Sequence, residues 1–438
     1  MGETNLFGDA TTSYGGLTDK TVRKAKSAGP AKLLRAQRNQ ILLMPTDLEA
    51  LLPADHVARG MWELVGKLDL TRFLAVIESR EDEAGRPAID PKILVTLWLY
   101  ATSEGVASAR ELARLCGMHD AYRWICGGVP ICAHTLSDFR VGHKEALDDV
   151  MTQVLAALLR HGAVELQRVA QDGTRVRASA GAASFRRKKS LEACLEEARK
   201  HVKEVAAGAD EGLSEVQAAA RKRGAQDRLE RIQRAIEELP KAQAAKKSPE
   251  EKEEARVSTT DPEARVMKMG DGGFRPAWNV QIGSDTKSRI ITGISVDNRG
   301  SDRGNLDPML TQIHERTGMT PDEMLADGGY VDHKDIEAVA DKRVTVYAPL
   351  NKKKNGERDP HLPREGDSPA IAEWRARMAT EDAKRIYKDR ASTAESINAD
   401  LKCFRGLDRF LVRTLPKVVC VAFWSAIAYN ALKLLALA

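Results

Sequence analysis

Three carboxylates far apart in the chain stand where chemistry could be done: Asp172 in VAQDGTRVRASA, Asp327 in MLADGGY and Glu395 in RIYKDRASTAESINADLKCF. Asp172 interrupts an alternating apolar stretch, where Asp is disfavoured and needs a partner or a cation. Acids drawn from distant segments suit Mg²⁺ or Mn²⁺, hard ions that take oxygen ligands and keep waters. Two such ions about 4 Å apart can activate a water and stabilise the leaving oxygen of a phosphodiester. The corresponding chemistry is nucleic-acid strand cleavage, with no Ser or His nucleophile required. Each acid also has a plainer reading. Asp172-Gly-Thr can form a turn, Asp327 can cap one, and Ser392 with Glu395 spells a capping box at a helix start. The DGT triplet also occurs in phosphatases of the haloacid dehalogenase type, but their second Asp is replaced here by Ala170.

Positioning three such acids takes strands and a helix. Asp327 closes the short strand Met324 to Ala326, and Gly328 and Gly329 let the chain turn there. Sheets of this kind gather ligands at strand ends. Trp278, Val280 and Ile282 alternate with Asn279 and Gln281; SDTKS turns; Ile290, Thr292, Ile294 and Val296 alternate again, an antiparallel hairpin. A helix over 306–317, a helix from about Lys334 to Lys342 and the strand VTVYAPL follow, then a polar loop over 351–369. Strand, hairpin and alternating helices predict an α/β class, a mixed sheet flanked by helices. On a helix, Tyr387, Ala391, Glu395, Asn398 and Lys402 fall within about 80° of one another, beside an apolar face of Ile386, Ile397, Leu401 and Phe404.

Other stretches have other rhythms. From Asp55 to about Leu166 apolar residues recur at helical spacing, among them Met61, Leu64, Ile93, Leu97, Trp98, Leu147, Val150, Val154 and Leu158. Within that helical region, residues 108–143 read as short helices on Gly turns, with Thr135 or Ser137 as N-cap, a pattern open to a helix-turn-helix or to ordinary packing. Over 185–256, Leu191, Leu195, Ala198, Val202 and Val205, then Leu229, Ile232, Ile236 and Leu239, form heptad seams. These predict a coiled-coil-like hairpin closing on itself or on a second copy, ending in a charged linker from Lys246 to Arg256.

Composition narrows the class. The length of 438 residues implies two or three domains. Lys and Arg number 68 against 63 Asp and Glu, a net +5 that says little until its distribution is read. Between Leu17 and Gln40 stand Lys20, Arg23, Lys24, Lys26, Lys32, Arg35 and Arg38 against Asp19 alone, a basic arm able to neutralise phosphates or simply to stay solvated. MGETNLFGDA lacks the order of a signal peptide, and the C-terminal VVCVAFWSAIAYNALKLLALA, broken by Asn430 and Lys433, reads as a buried helix. These features predict a cytoplasmic protein without a membrane span. The scattered cysteines fit a reducing compartment. Cys116, His119, Cys126, Cys132 and His134 cluster in sequence without zinc spacing.

Taken together the motifs resemble bacterial insertion-sequence transposases of the DDE superfamily, in the branch with a YREK signature (insertion-sequence family eleven-eighty-two-like). LLPADHVARGMWELVGKLDL and the stretch ending in HTLSDFR look like their helical N-terminal region. VAQDGTRVRASAG looks like the segment of the first catalytic Asp, STTDPEARVMK with GGFRPAWNVQIGSD like the lead into the next strands, and ADGGY like the second-Asp motif. Tyr387, Arg390, Glu395 and Lys402 match the signature, with four residues between Arg390 and Glu395 where the better-known spacing has three. The resemblance implies an RNase H-like core, Asp172, Asp327 and Glu395 as catalytic ligands of two Mg²⁺ or Mn²⁺ ions, and Tyr387, Arg390 and Lys402 on transposon-end DNA. It implies binding of terminal inverted repeats, strand cleavage and strand transfer, a homodimer in the synaptic complex and a nucleoid-associated location in a bacterial cytoplasm. The corresponding division is a basic arm (1–45), a helical DNA-binding domain (46–166), the first core strand (167–184), the helical insertion (185–256), the rest of the core (257–415) and a final helix (416–438). A stand-alone RNase H-like nuclease and a catalytically silent, transposase-derived DNA-binding protein are the alternatives.

Overall fold

A computed structural model describes residues 45, 47–79, 86–208, 213–350 and 359–437. The basic arm up to residue 44 and residues 351–358 of the polar loop lie outside the described residues.

Among the described residues seven α-helices precede the first strand: α1 (Val57–Gly66), α2 (Thr71–Ala75), α3 (Pro91–Ser103), α4 (Ala109–Met118), α5 (Asp120–Cys126), α6 (Ala133–Gly142) and α7 (Lys144–Arg160). The helical periodicity is realised: Ile93, Leu97 and Trp98 on α3, and Leu147, Val150, Val154 and Leu158 on α7, are all buried. The predicted N-caps are not used. α6 starts earlier than Thr135 or Ser137, because extended backbone at Cys132 lets its Sγ accept from the Thr135 N–H; Ser108 and His119 cap α4 and α5 in the same way.

β1 (Arg168–Arg177) then enters the sheet, and the charged insertion follows. A two-residue strand β2 (Phe185–Arg186) pairs with β3 (Val257–Ser258) and closes its base. Between them run α8 (Lys188–Ala206), α9 (Glu215–Ala244) and α10 (Pro249–Glu253). The heptad seam closes within the chain: Leu191, Ala198 and Val205 of α8 and Ile232 and Leu239 of α9 are buried, and Arg228 reaches Glu197 at 3.0 Å. Leu191, Ala235, Leu239, Ala242, Ala255 and Val257 form a small core of their own. The stretch read as a charged linker contains α10, which Ser248 caps through the Glu251 N–H.

The sheet continues with β4 (Arg265–Lys268), β5 (Phe274–Asp285) and β6 (Ile291–Asp297), then α11 (Leu306–Thr317), β7 (Glu323–Leu325), α12 (His333–Asp341) and β8 (Thr345–Tyr347). β5 takes β1 on one edge and both β4 and β6 on the other; β7 pairs parallel with β1, and β8 parallel with β7. The result is the mixed sheet flanked by helices. The strand expected over VTVYAPL is only three residues long, since beyond Tyr347 the chain leaves the β7 register. β5 differs more. Asn279 and Gln281, the polar members of its alternation, are as buried as Trp278 and Val280.

Three helices end the chain, α13 (Pro369–Ala379), α14 (Glu381–Phe404) and α15 (Leu415–Leu435). α15 is long and apolar enough to cross a membrane, yet most of it is buried inside the protein. Asn430 explains its docking: its amide donates to the Ile291 carbonyl at 2.8 Å and its oxygen accepts from the Ile291 N–H at 3.0 Å, as a neighbouring strand would. α15 thereby joins α3 and α7 to β6, and one continuous hydrophobic core runs through the N-terminal helices and the sheet.

Candidate active site

β1 and β7 are parallel neighbours, paired through Ala170 and Leu325, so Asp172, midway along β1, lies level with Asp327 just past the end of β7. Across that end lies α14. Arg390 Nη2 donates to Asp172 Oδ1 at 2.7 Å and stands 3.6 Å from Asp327 Oδ2, one cationic nitrogen serving two carboxylates. Asn398, two turns on, donates to the other Asp172 oxygen at 2.8 Å. Burial pushes the Asp172 carboxyl above its ordinary range; Arg390 opposes the rise, and the charges of Asp327 and Asp302 add to it.

Asp327 caps the turn that follows it, one of its two readings from the sequence. Its Oδ1 accepts from the Gly329 N–H at 2.7 Å, while Oδ2 faces Arg390. Gly329 has ordinary negative φ, so its lack of a side chain matters for space: a Cβ there would stand 2.9 Å from Asp327 Oδ1.

The signature residues share one helix. Tyr387, Arg390 and Lys402 are half-buried on the side of α14 that meets β1. Burial raises the Tyr387 phenol and lowers the Lys402 ammonium, the second opposed by the charge of Asp172. Glu395 is exposed and has no hydrogen-bond or ion-pair partner among the described residues. Its capping-box reading is overturned, because α14 runs unbroken through Ser392, whose hydroxyl donates to the Asp389 carbonyl inside the helix. The apolar face is narrower than expected: Ile397 and Leu401 are buried, but Phe404 is 62% exposed where the helix outruns its support.

Asp302 was missed. It lies in the loop after β6, 15% exposed, and accepts from Arg175 at 3.0 and 3.1 Å, Asn279 at 2.8 Å and Gln281 at 2.7 Å. Burial alone would raise its carboxyl, but Arg175 and the two amides hold it below the usual range. Arg175 thus meets a loop acid, and Arg177 meets Asp408. The available signal was in β5, where a strand buried on both faces carries two amides that need a polar partner.

Among the described residues no three His, Cys, Asp or Glu side chains stand close enough to hold a metal ion. The pair Asp172 and Asp327 nevertheless suits a hard cation, since both present oxygen and both already face the same positive charge.

Comparison with known proteins supplies the family. The family model described as "Transposase DDE domain" matches residues 245–431, and "Transposase domain (DUF772)" matches residues 46–142. No curated protein and no solved structure matches the chain. The first domain implies an RNase H-like fold for the sheet that carries Asp327 and α14, and the two matches together span well over half of the sequence. The chain belongs to the bacterial insertion-sequence transposases that carry a DDE domain.

Proposed function

We propose that the protein binds the terminal inverted repeats of its insertion sequence, hydrolyses a strand at each end and joins the freed 3′ hydroxyl to target DNA. The observation that carries this reading is the convergence of Asp172 and Asp327 on Arg390 within a transposase DDE domain. Asp172 and Asp327, with Glu395 from α14, would hold Mg²⁺ or Mn²⁺, two ions in all. When bound, these ions activate a water or hydroxyl and stabilise the leaving oxygen of the phosphodiester.

The chain's own residues prepare the rest. β1 and β7 hold two acids level with each other where β7 ends, and the exposed Glu395 is free to join them without giving up any contact among the described residues. Arg390 and Lys402 bring positive charge to the same place, where a phosphate competes for it through charge-assisted bonds. Tyr387 completes the YREK set beside them. The helices α4 to α6, in the matched N-terminal transposase domain, and the basic arm would read and grip the end DNA. Two ends cut in register call for a homodimer in the synaptic complex. The protein would act in the bacterial cytoplasm, on the nucleoid.

Incubating the full chain with a duplex carrying the element's own end and Mg²⁺ tests the proposal. Nicking at the end followed by strand-transfer products supports it. Nicking without joining points to a stand-alone nuclease, and binding without nicking to a silent DNA-binding protein.

A further inference from the structure

We infer that Asp302 is a positioning residue that locks β1 and the Asp327 turn to each other through one buried hydrogen-bond chain; its relevance to catalysis rests on the reading of Asp172 and Asp327 as the reacting pair. The chain starts at Tyr330, three residues past Asp327 and fully buried, whose hydroxyl donates to Gln281 Oε1. The Gln281 amide donates onward to Asp302 Oδ1 at 2.7 Å. Asp302 then grips β1 directly: Arg175 holds both of its oxygens, at 3.1 and 3.0 Å, and Asn279 adds a bond at 2.8 Å.

Gly173, the residue after Asp172, makes this grip possible. A Cβ at Gly173 would lie 2.4 Å from Asp302 Oδ1 and 2.7 Å from the Gln281 amide nitrogen, so it would push both groups out of their present positions. A Cβ on Gly329 would in turn stand 3.9 Å from Asp302 Oδ2. The tight position is thus Gly173, which lets the Asp302 carboxylate lie against β1 beside Asp172, while the Asp327 turn is reached through Gln281 and Tyr330. Three of the four donated bonds converge on Oδ1 and one on Oδ2, which fixes the orientation of the Asp302 carboxylate as a brace requires. Three negative groups, Asp302, Asp172 and Asp327, surround the Tyr330 phenol, and together with its burial they hold it in the protonated, donating form.

Hydrogen exchange on the full chain without DNA tests the brace from both ends. In Asp302→Asn, amides of the Gly328–Tyr330 turn should exchange about tenfold faster, the scale of one weakened hydrogen bond, while those of α3 and α7 stay unchanged. In Tyr330→Phe, which cuts the chain at its far end, the loop around Asp302 should loosen in the same way. On end DNA with Mg²⁺, Asp302→Asn should lower kcat by about 10- to 100-fold with KM unchanged, as losing the support of a ligand does. Unchanged exchange at the distant segment in both variants, or an equal rise over the whole protein, overturns the inference. Absence of nicking in the parent chain counts against the transposase reading, whereas the exchange result decides the coupling by itself.

Discussion

Arg390 and Asp172 form the closest ion pair of the site, 2.7 Å apart with both side chains largely shielded from water. Removing the guanidinium leaves a part-buried carboxylate facing Asp327. Arg390→Gln should therefore destabilise the protein at pH 7 by about 2 kcal/mol in urea unfolding. The sign with pH follows from the raised pKa of Asp172: protonation favours the folded state, so the cost is full above the folded pKa and fades as pH falls toward the unfolded value. The deficit of the variant should shrink steadily as the pH is lowered and Asp172 is protonated in both proteins.

Asp261 gives a second pH dependence, away from the site. It is fully buried, accepts from the Thr414 N–H at 3.1 Å at the start of α15, and burial pushes its carboxyl up to about 6. Its ionisation thus subtracts stability as pH rises from about 4 through 6. Asp261→Asn keeps an acceptor for Thr414 and should stabilise the protein at pH 7 by up to about 3 kcal/mol, with no gain below pH 4. Urea midpoints at several pH values check this.

Glu395→Gln separates chemistry from folding. An exposed side chain without a partner among the described residues should leave the unfolding free energy within about 0.5 kcal/mol of the parent. Nicking of end DNA should fall by roughly 10²-fold or more. Full activity in this variant would remove Glu395 from the site.

The hairpin insertion is predicted to unfold by itself. Leu191 is fully buried, but in the small core shared with α9 and not in the main one. Leu191→Ala should cost about 2–4 kcal/mol locally. Limited proteolysis should then cut within α8 or α9 while the near-ultraviolet signal of Trp98, Trp278 and Trp424 persists.

Much of this architecture is legible in the sequence, and the illegible part has physical reasons. Heptads announce α8 and α9, and strict alternation announces β5 and β6, because one repeating constraint acts on many residues. The helix over 306–317 emerges with its bounds intact, closed by Gly318 at φ +67°. N-caps mislead, since Cys132 and His119 cap helices as Ser or Thr would. Asp302 is invisible because its meaning lies in four donated bonds from three residues on two distant strands, β1 and β5. Gly173 is invisible for the same reason: its need for space comes from a loop more than a hundred residues away. The resemblance picks out Asp172 and Asp327, which the structure brings together on Arg390, while Glu395 sits on the same helix without joining them.

The most direct test of the account is metal-dependent nicking of DNA bearing the element's terminal repeat, compared between the parent, Asp172→Asn and Asp327→Asn. Both variants should stay folded and bind the end DNA as the parent does, yet lose nicking in Mg²⁺ by roughly 10³-fold. Parental rates in either variant would contradict the assignment of these two acids to the chemistry.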